Sequence, residues 1–167
     1  MNFDKIKELE LKKSKNIYIK SFILSSVTTF FIVLIILDIG KVAGNSMFPT
    51  LKDGDIELSV TASLCNIKKG DIVNINSKVL NQSIVKRVIA TEGDTLEIKN
   101  NIIYLNGEVL VENYLSEENI IYEDLYIVIP KNCYFVMGDN RNNSVDSRKI
   151  GLIKRQEIRS KLFYHSK

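Results

Sequence analysis

The chain of 167 residues has one histidine, His165, close to its last position. A Ser-His-Asp triad would have to be built on that terminus, where chains fray, so histidine-based nucleophilic catalysis has no good candidate. Cysteine is scarce as well. Cys65 and Cys133 lack any C-x-x-C or His-rich spacing, which argues against a zinc site or a disulfide framework. Two buried free thiols are the expectation, with pairing open if the domain is exported. Charge of one sign is never concentrated: 23 Lys and Arg are interspersed with 20 Asp and Glu, for a net +3. Without a basic stripe, no nucleic-acid partner is expected. Internal repeats, low-complexity linkers and a second long apolar run are also missing. The length suits one domain plus an anchor.

The anchor is legible in where charge stops. Residues 1–20 hold Lys5, Lys7, Lys12, Lys13, Lys15 and Lys20 against Asp4, Glu8 and Glu10. From Ser21 to Leu37 the sequence, SFILSSVTTFFIVLIIL, carries no charge. With Ile17, Tyr18 and Ile19 the run reaches about 20 residues, enough at ~1.5 Å each to cross a bilayer core. A buried helix of a soluble protein or a cleaved signal peptide could supply such a run. The first usually carries polar residues at helical spacing, and the second has an apolar stretch of only ~7–15 residues. The expected organisation is a basic cytoplasmic tail over 1–20, a transmembrane anchor over 21–39 and an extracytoplasmic domain over 40–167, oriented by the positive-inside rule. The lipid bilayer is thus one expected partner.

From Gly40 onward, short alternating apolar runs are separated by Gly, Asn and Asp turn signals. Candidate strands are Asp55–Ser59, Asp71–Asn76, Ser83–Ala90, Thr95–Lys99, Ile102–Leu105, Tyr126–Ile129 and Tyr134–Met137. Asn100–Asn101 and Asn106–Gly107 mark tight turns. Only Lys154–Lys161 has a weakly helical look. The expected fold is mainly β: one transmembrane helix followed by a compact all-β domain.

Three stretches could carry chemistry. GNSMFPTL, Gly44–Leu51, sets Ser46 in a Gly-flanked segment where the backbone can turn and expose a hydroxyl and an amide. An ordinary turn around Pro49 explains the same letters. A serine nucleophile needs a base, and with histidine out of reach lysine remains, provided its pKa is lowered. Lys86, in SIVKRVIA, is bracketed by Ile84, Val85, Val88 and Ile89, which can desolvate an ammonium. Its alternative use is a surface lysine guarding an edge strand. The third stretch, GDNRNNSVDSR at Gly138–Arg148, is a polar loop whose side chains can bond one another and support a site. A solvated turn would account for its Asn and Ser residues equally well.

Taken in order, GNSMFPTL, KKGDIV (Lys68–Val73), KRVIATEGD (Lys86–Asp94) and GDNRNNSVDSR resemble the segments of bacterial type I signal peptidases, Ser/Lys serine proteases. The resemblance spans Lys41 to about Ile153. It implies a signal-peptidase-type catalytic β domain that cleaves signal peptides from exported preproteins after small residues of the Ala-x-Ala kind, without metal or organic cofactor. It further implies Ser46 as the nucleophile, Lys86 as the general base and Ser144 as a hydrogen-bonding orienter of the lysine amine. Asp146 with Arg148, and Asp139 with Arg87, would be supporting ion pairs. Val42, Met47, Leu51, Ile84 and Val85 would neighbour the shallow apolar pockets for the side chains one and three residues before the cut. Gly44 stands where many Gram-negative members carry a serine that donates to the oxyanion, so the Ser46 N–H would carry more of that role. Ala90 and Glu92 also depart from the frequent Gly and Pro. A self-cleaving Ser/Lys repressor and a catalytically silent membrane β module are the competing readings. The first lacks its DNA-binding helices here, and the second predicts loss of Ser46 or Lys86.

Overall fold

The computed structural model describes residues 3–115 and 122–166. It divides into two units, residues 1–37 and 38–167. The first is a single helix, α1 (Phe3–Ile36). No Gly or Pro interrupts it, so nothing in its backbone chemistry ends it early. Its stretch Lys12–Val33, of mean hydropathy 1.5, is long and apolar enough to cross a membrane, and none of it is buried. The helix stops at Ile36, and Leu37, Asp38 and Ile39 begin a strand, β1 (Leu37–Lys41), three residues before the end expected for the anchor.

The second unit is built on two antiparallel sheets. The larger contains β1, β2 (Ile56–Thr61), β3 (Ile72–Ser77), β4 (Gln82–Ala90), β9 (Cys133–Met137), β10 (Ile153–Lys154) and β11 (Ile158–His165), in the order β1-β2-β11-β3-β4-β9-β10. The smaller contains β5 (Thr95–Lys99), β6 (Ile102–Leu105), β7 (Glu108–Val109) and β8 (Leu125–Val128), in the order β7-β6-β5-β8. All seven expected strands are present within a residue or two of their expected bounds. Asn100 and Asn101 (φ 51° and 62°), then Asn106 and Gly107 (56° and 85°), take the left-handed backbone that lets a two-residue turn follow strand twist.

The tail departs from expectation. Instead of a helix, a 3-10 turn at Arg155–Glu157 leads into β11, which lies inside the sheet between β2 and β3. Its alternation is masked because Ser160, a polar residue, faces inward, and because the register shifts between Leu162 and Tyr164. His165 is accordingly not frayed; it pairs with Glu57 of β2. Cys65 and Cys133 are free but only half-buried, a milder environment than expected.

Three apolar clusters hold the unit together. Val73, Ile75, Val88, Val136 and Ile158 join β3, β4, β9 and β11. Ile89, Leu96, Ile98, Phe135 and Met137 pack the two sheets together. Val42, Met47, Leu51 and Ile72 form the third, with Val85 and Leu162 against it. Burial of this kind supplies ~25 cal/mol per Å² of apolar surface removed from water, and the third cluster spends it under Ser46.

Candidate active site

Ser46 is held by what flanks it. Gly44 has φ +84°, a conformation side chains resist, and its N–H donates to Asp53 Oδ1 at 2.7 Å. The chain then makes one tight turn: Phe48 N–H donates to Asn45 O (3.1 Å) and Leu51 N–H to Met47 O (2.9 Å). Met47 and Leu51 are sunk into the third cluster and fasten that turn. From the far side, Asn140 N–H donates to Ser46 O (3.0 Å) and Asn140 Nδ2 to Asn45 O (3.0 Å), binding the segment to the polar loop. The N–H of Ser46 donates to no group among the described residues.

Lys86 lies in the middle of β4, opposite Val73 of β3. On its other side β4 pairs with β9 only from Arg87 onward, so residues 82–86 keep a free edge there. Lys86 is 3% exposed. Its Nζ donates to Ser46 Oγ at 2.7 Å and to Val85 O at 2.8 Å. No carboxylate forms an ion pair with it among the described residues. Burial pulls its pKa down to about 8, against the opposing pull of Asp146 and Asp139.

The next residue meets different surroundings. Arg87 grips Asp139 with two bonds, Nε to Oδ1 at 2.8 Å and Nη2 to Oδ2 at 2.6 Å, while Nη1 donates to Gly70 O and the guanidinium covers the Tyr114 ring at 4.0 Å. Thr50 Oγ1 donates to Asp139 Oδ2 at 2.5 Å, tying the serine segment to the same pair. Asp146 receives Arg148 Nε and Nη2, both at 2.8 Å, and the Gly138 N–H at 2.9 Å. Burial raises its carboxyl's pKa, but these donors, Arg148 foremost, win and hold it below the usual range. Asp146 also caps α2 (Ser147–Ile150).

Two expected placements differ. Ser144 makes no hydrogen bond to Lys86: its Oγ is buried against Gly138, while the amine is turned onto Ser46 and the Val85 carbonyl of its own strand. Leu51 is fully buried beneath the serine turn and does not line the groove. That groove, about 590 Å³, runs between β1 and the free edge of β4 and is lined by Val42, Met47, Ile84 and Val85 together with Ser46 and Lys86.

Sequence reasoning missed three features. Gly138 has no room for a side chain, since a Cβ there would overlap Ser144 Oγ and the Ser46 carbonyl. Its place at the head of the polar loop was the only available signal. A buried clasp joins Arg141 to Glu112 through both Nη atoms (2.6 and 2.5 Å), with Tyr122 Oη accepting from Nη1 at 2.7 Å. No spacing announces a pair separated by so much chain. The third is Glu57, which lines the groove from β2.

The model of the family described as "Signal peptidase, peptidase S26" matches residues 15–165. Signal peptidase I T of Bacillus subtilis (strain 168) is 36% identical over 166 residues, covering 90% of this chain and 86% of that protein. A signal peptidase I of Bacillus amyloliquefaciens is 36% identical over 167 residues with the same coverage. The crystal structure of a signal peptidase I from Enterococcus faecalis V583 superposes with TM-score 0.53 at 31% identity, over 59% of this chain and 98% of that one. A match this long, with a shared fold and an apolar N-terminal helix, means that the chain belongs to the signal peptidase family, peptidase S26.

Proposed function

We propose that this membrane-anchored serine peptidase cleaves signal peptides from preproteins with Ser46 as nucleophile and Lys86 as general base. The observation that carries the reading is the 2.7 Å contact between a buried, unpaired lysine amine and a serine hydroxyl at the edge of a groove. At a pKa of about 8 a useful fraction of the amine is neutral near neutrality. Its lone pair then accepts from the same hydroxyl at the same distance.

Ser46 Oγ attacks the scissile carbonyl carbon as its proton passes to Lys86 Nζ. The negative oxygen of the tetrahedral intermediate takes the unengaged N–H of Ser46, with no side-chain donor from Gly44. Collapse expels the amine of the mature chain, protonated by Lys86, and leaves an acyl ester on Ser46. The amine, neutral again, deprotonates the water that releases the signal peptide. The ion pairs of Arg87 with Asp139 and Arg148 with Asp146 hold the loop that fastens Ser46, and Ser144 packs between Asp146 and Gly138 instead of orienting the amine. No step needs a metal or an organic cofactor.

The substrate enters as an extended strand beside Ile84–Lys86, where the β4 edge has unused backbone groups. Small side chains suit a floor already filled by Met47 and Val85. The basic tail, residues 1–20, stays in the cytoplasm, the apolar helix spans the bilayer, and the β unit works on the outer side. The decisive experiment incubates the detergent-solubilised full chain with a preprotein beside Ser46→Ala and Lys86→Ala. Both variants lose cleavage; either one cutting as fast as the parent overturns the dyad.

A further inference from the structure

The segment that carries Ser46 is fastened by a turn that is itself closed from outside. Asn140 does the fastening, with its N–H on Ser46 O and its Nδ2 on Asn45 O. The turn bearing it runs from Gly138 to Arg141, and the Arg141 side chain shuts it: Nε donates back to Gly138 O at 3.0 Å. Gly138 lies so close against Ser46 O that no Cβ fits between them. Where the Arg141 guanidinium sits therefore bears on where the Ser46 carbonyl sits.

Arg141 is the largest of the fully buried side chains and is only 2% exposed. A guanidinium keeps its proton even there, so it needs a fixed counter-charge. The loop does not supply one, since Asp139 is bonded to Arg87 and Asp146 to Arg148. Glu112 supplies it from the stretch after β7, with one carboxylate oxygen on each Nη. That two-pronged grip fixes the plane of the guanidinium and leaves Nε as the donor aimed at Gly138 O. Glu112 is aimed in its turn. Tyr114 Oη donates to its Oε1 at 2.6 Å, the Tyr114 ring lies 4.0 Å from the Arg87 guanidinium, and the Leu110 N–H donates to Ile103 O of β6 at 2.8 Å.

We propose that Glu112 is a positioning residue of the peptidase reaction. It acts through Arg141, whose orientation it sets, on the Gly138–Arg141 turn and so on how Ser46 Oγ stands to Lys86 Nζ. The inference rests on Ser46 being the nucleophile. A clasp that only held the fold together would change how many molecules are folded and leave the rate of each folded one alone. A clasp that aims a turn changes that rate, because reacting groups misplaced by as little as about 1 Å slow the chemical step. Neither Glu112 nor Arg141 lines the groove, so substrate binding is spared and the loss falls on kcat.

The test uses the solubilised full chain and a preprotein, with single-turnover rates divided by the folded fraction that circular dichroism gives at the assay temperature. Glu112→Gln keeps the shape of the side chain and removes its charge. Its kcat per folded molecule falls ~10–100-fold while KM stays within ~2-fold of the parent's. Tyr114→Phe removes only the hydroxyl on Glu112 and lowers kcat per folded molecule by ~3-fold, the worth of one modest hydrogen bond. In an Asn140→Ala background, where the turn has lost its side-chain hold on Asn45 O, each substitution lowers kcat by a smaller factor than in the parent, as residues acting in one unit do. Glu112→Gln decides the matter where it folds, and Tyr114→Phe where it does not. A parent-like kcat per folded molecule in the deciding variant overturns the inference, as does a loss confined to KM or an equal factor in the two backgrounds. A parent that cuts no preprotein, or Ser46→Ala cutting as fast as the parent, overturns the dyad reading instead, an outcome distinct from a variant without a rate effect.

Discussion

Around the polar loop, three guanidiniums each have a carboxylate: Arg87 has Asp139, Arg141 has Glu112 and Arg148 has Asp146. Beside the groove, one residue along the same strand from Arg87, Lys86 is buried with, among the described residues, a serine hydroxyl and a carbonyl as its hydrogen-bond partners. Both regions bury cations, and they treat them in opposite ways. In the loop, paired charge fixes geometry at the expense of any reactivity. At Lys86, the absence of a pairing carboxylate lets desolvation act on the amine, and a base near neutrality results. Strand alternation makes this possible, since adjacent side chains on β4 point to opposite faces.

The sharpest way to break the contrast is to remove the unpaired partner. Lys86→Ala or Ser46→Ala lowers kcat by ~10³-fold or more, because members of a catalytic unit fail together. The thermal unfolding midpoint stays near or above the parent's, which circular dichroism melting checks. Next in size is Gly138→Ala. Its Cβ would push Ser144 and the Ser46 carbonyl apart, and displacing the proposed nucleophile by about 1 Å costs on the order of 10²-fold in kcat. Single-turnover cleavage separates that loss from weaker substrate binding.

On the paired side, Glu112→Gln leaves a buried Arg141 with no carboxylate and lowers stability by about 3–5 kcal/mol in urea unfolding. That change strikes stability first, the reverse of Lys86→Ala.

The smallest effects are those of pH. The rate rises with pH and reaches half its plateau near pH 8 as the amine loses its proton, so a profile already flat at pH 6 would contradict a lysine base. Stability follows with a definite sign. The folded pKa of about 8 lies below the ordinary 10.5, so between these values the unfolded chain holds a proton that the folded one lacks. The parent therefore gains stability as pH rises through that window. Lys86→Met, which buries no ammonium, is the more stable protein below pH 8, and the gap narrows toward pH 10.5.

In the smaller sheet the two-residue β7 was not among the expected strands and the β5–β8 pairing spans a long stretch of chain, whereas β5, β6 and β8 were readable to within a residue, helped by the Asn100–Asn101 turn that makes the β5–β6 pairing local. β11 was not, since its inward Ser160 looks like a surface residue until Ser59 and Asn74 are seen around it. In the site, Ser46 and Lys86 followed from chemical elimination, and the four ordered segments framed them. The position of Ser144 could not follow, because a motif fixes residue types and not where a hydroxyl comes to rest. The Arg141–Glu112 clasp and the Glu57 floor were hidden for a related reason: both join residues whose separation along the chain has no period to detect.

The placement of β11 also bears on how the protein comes into being. Among the described residues it is the last strand in sequence, yet it is inserted between β2 and β3, so the wall carrying β1 and β2 is linked within the sheet to β3 and β4 only through it. A chain ending before Ile158 would keep the Asn140 and Thr50 bonds that tie the Ser46 segment to the β4 side but lack the strand that joins the two walls into one sheet. The sheet that carries Lys86 is therefore closed by a strand that follows both Ser46 and Lys86 in sequence.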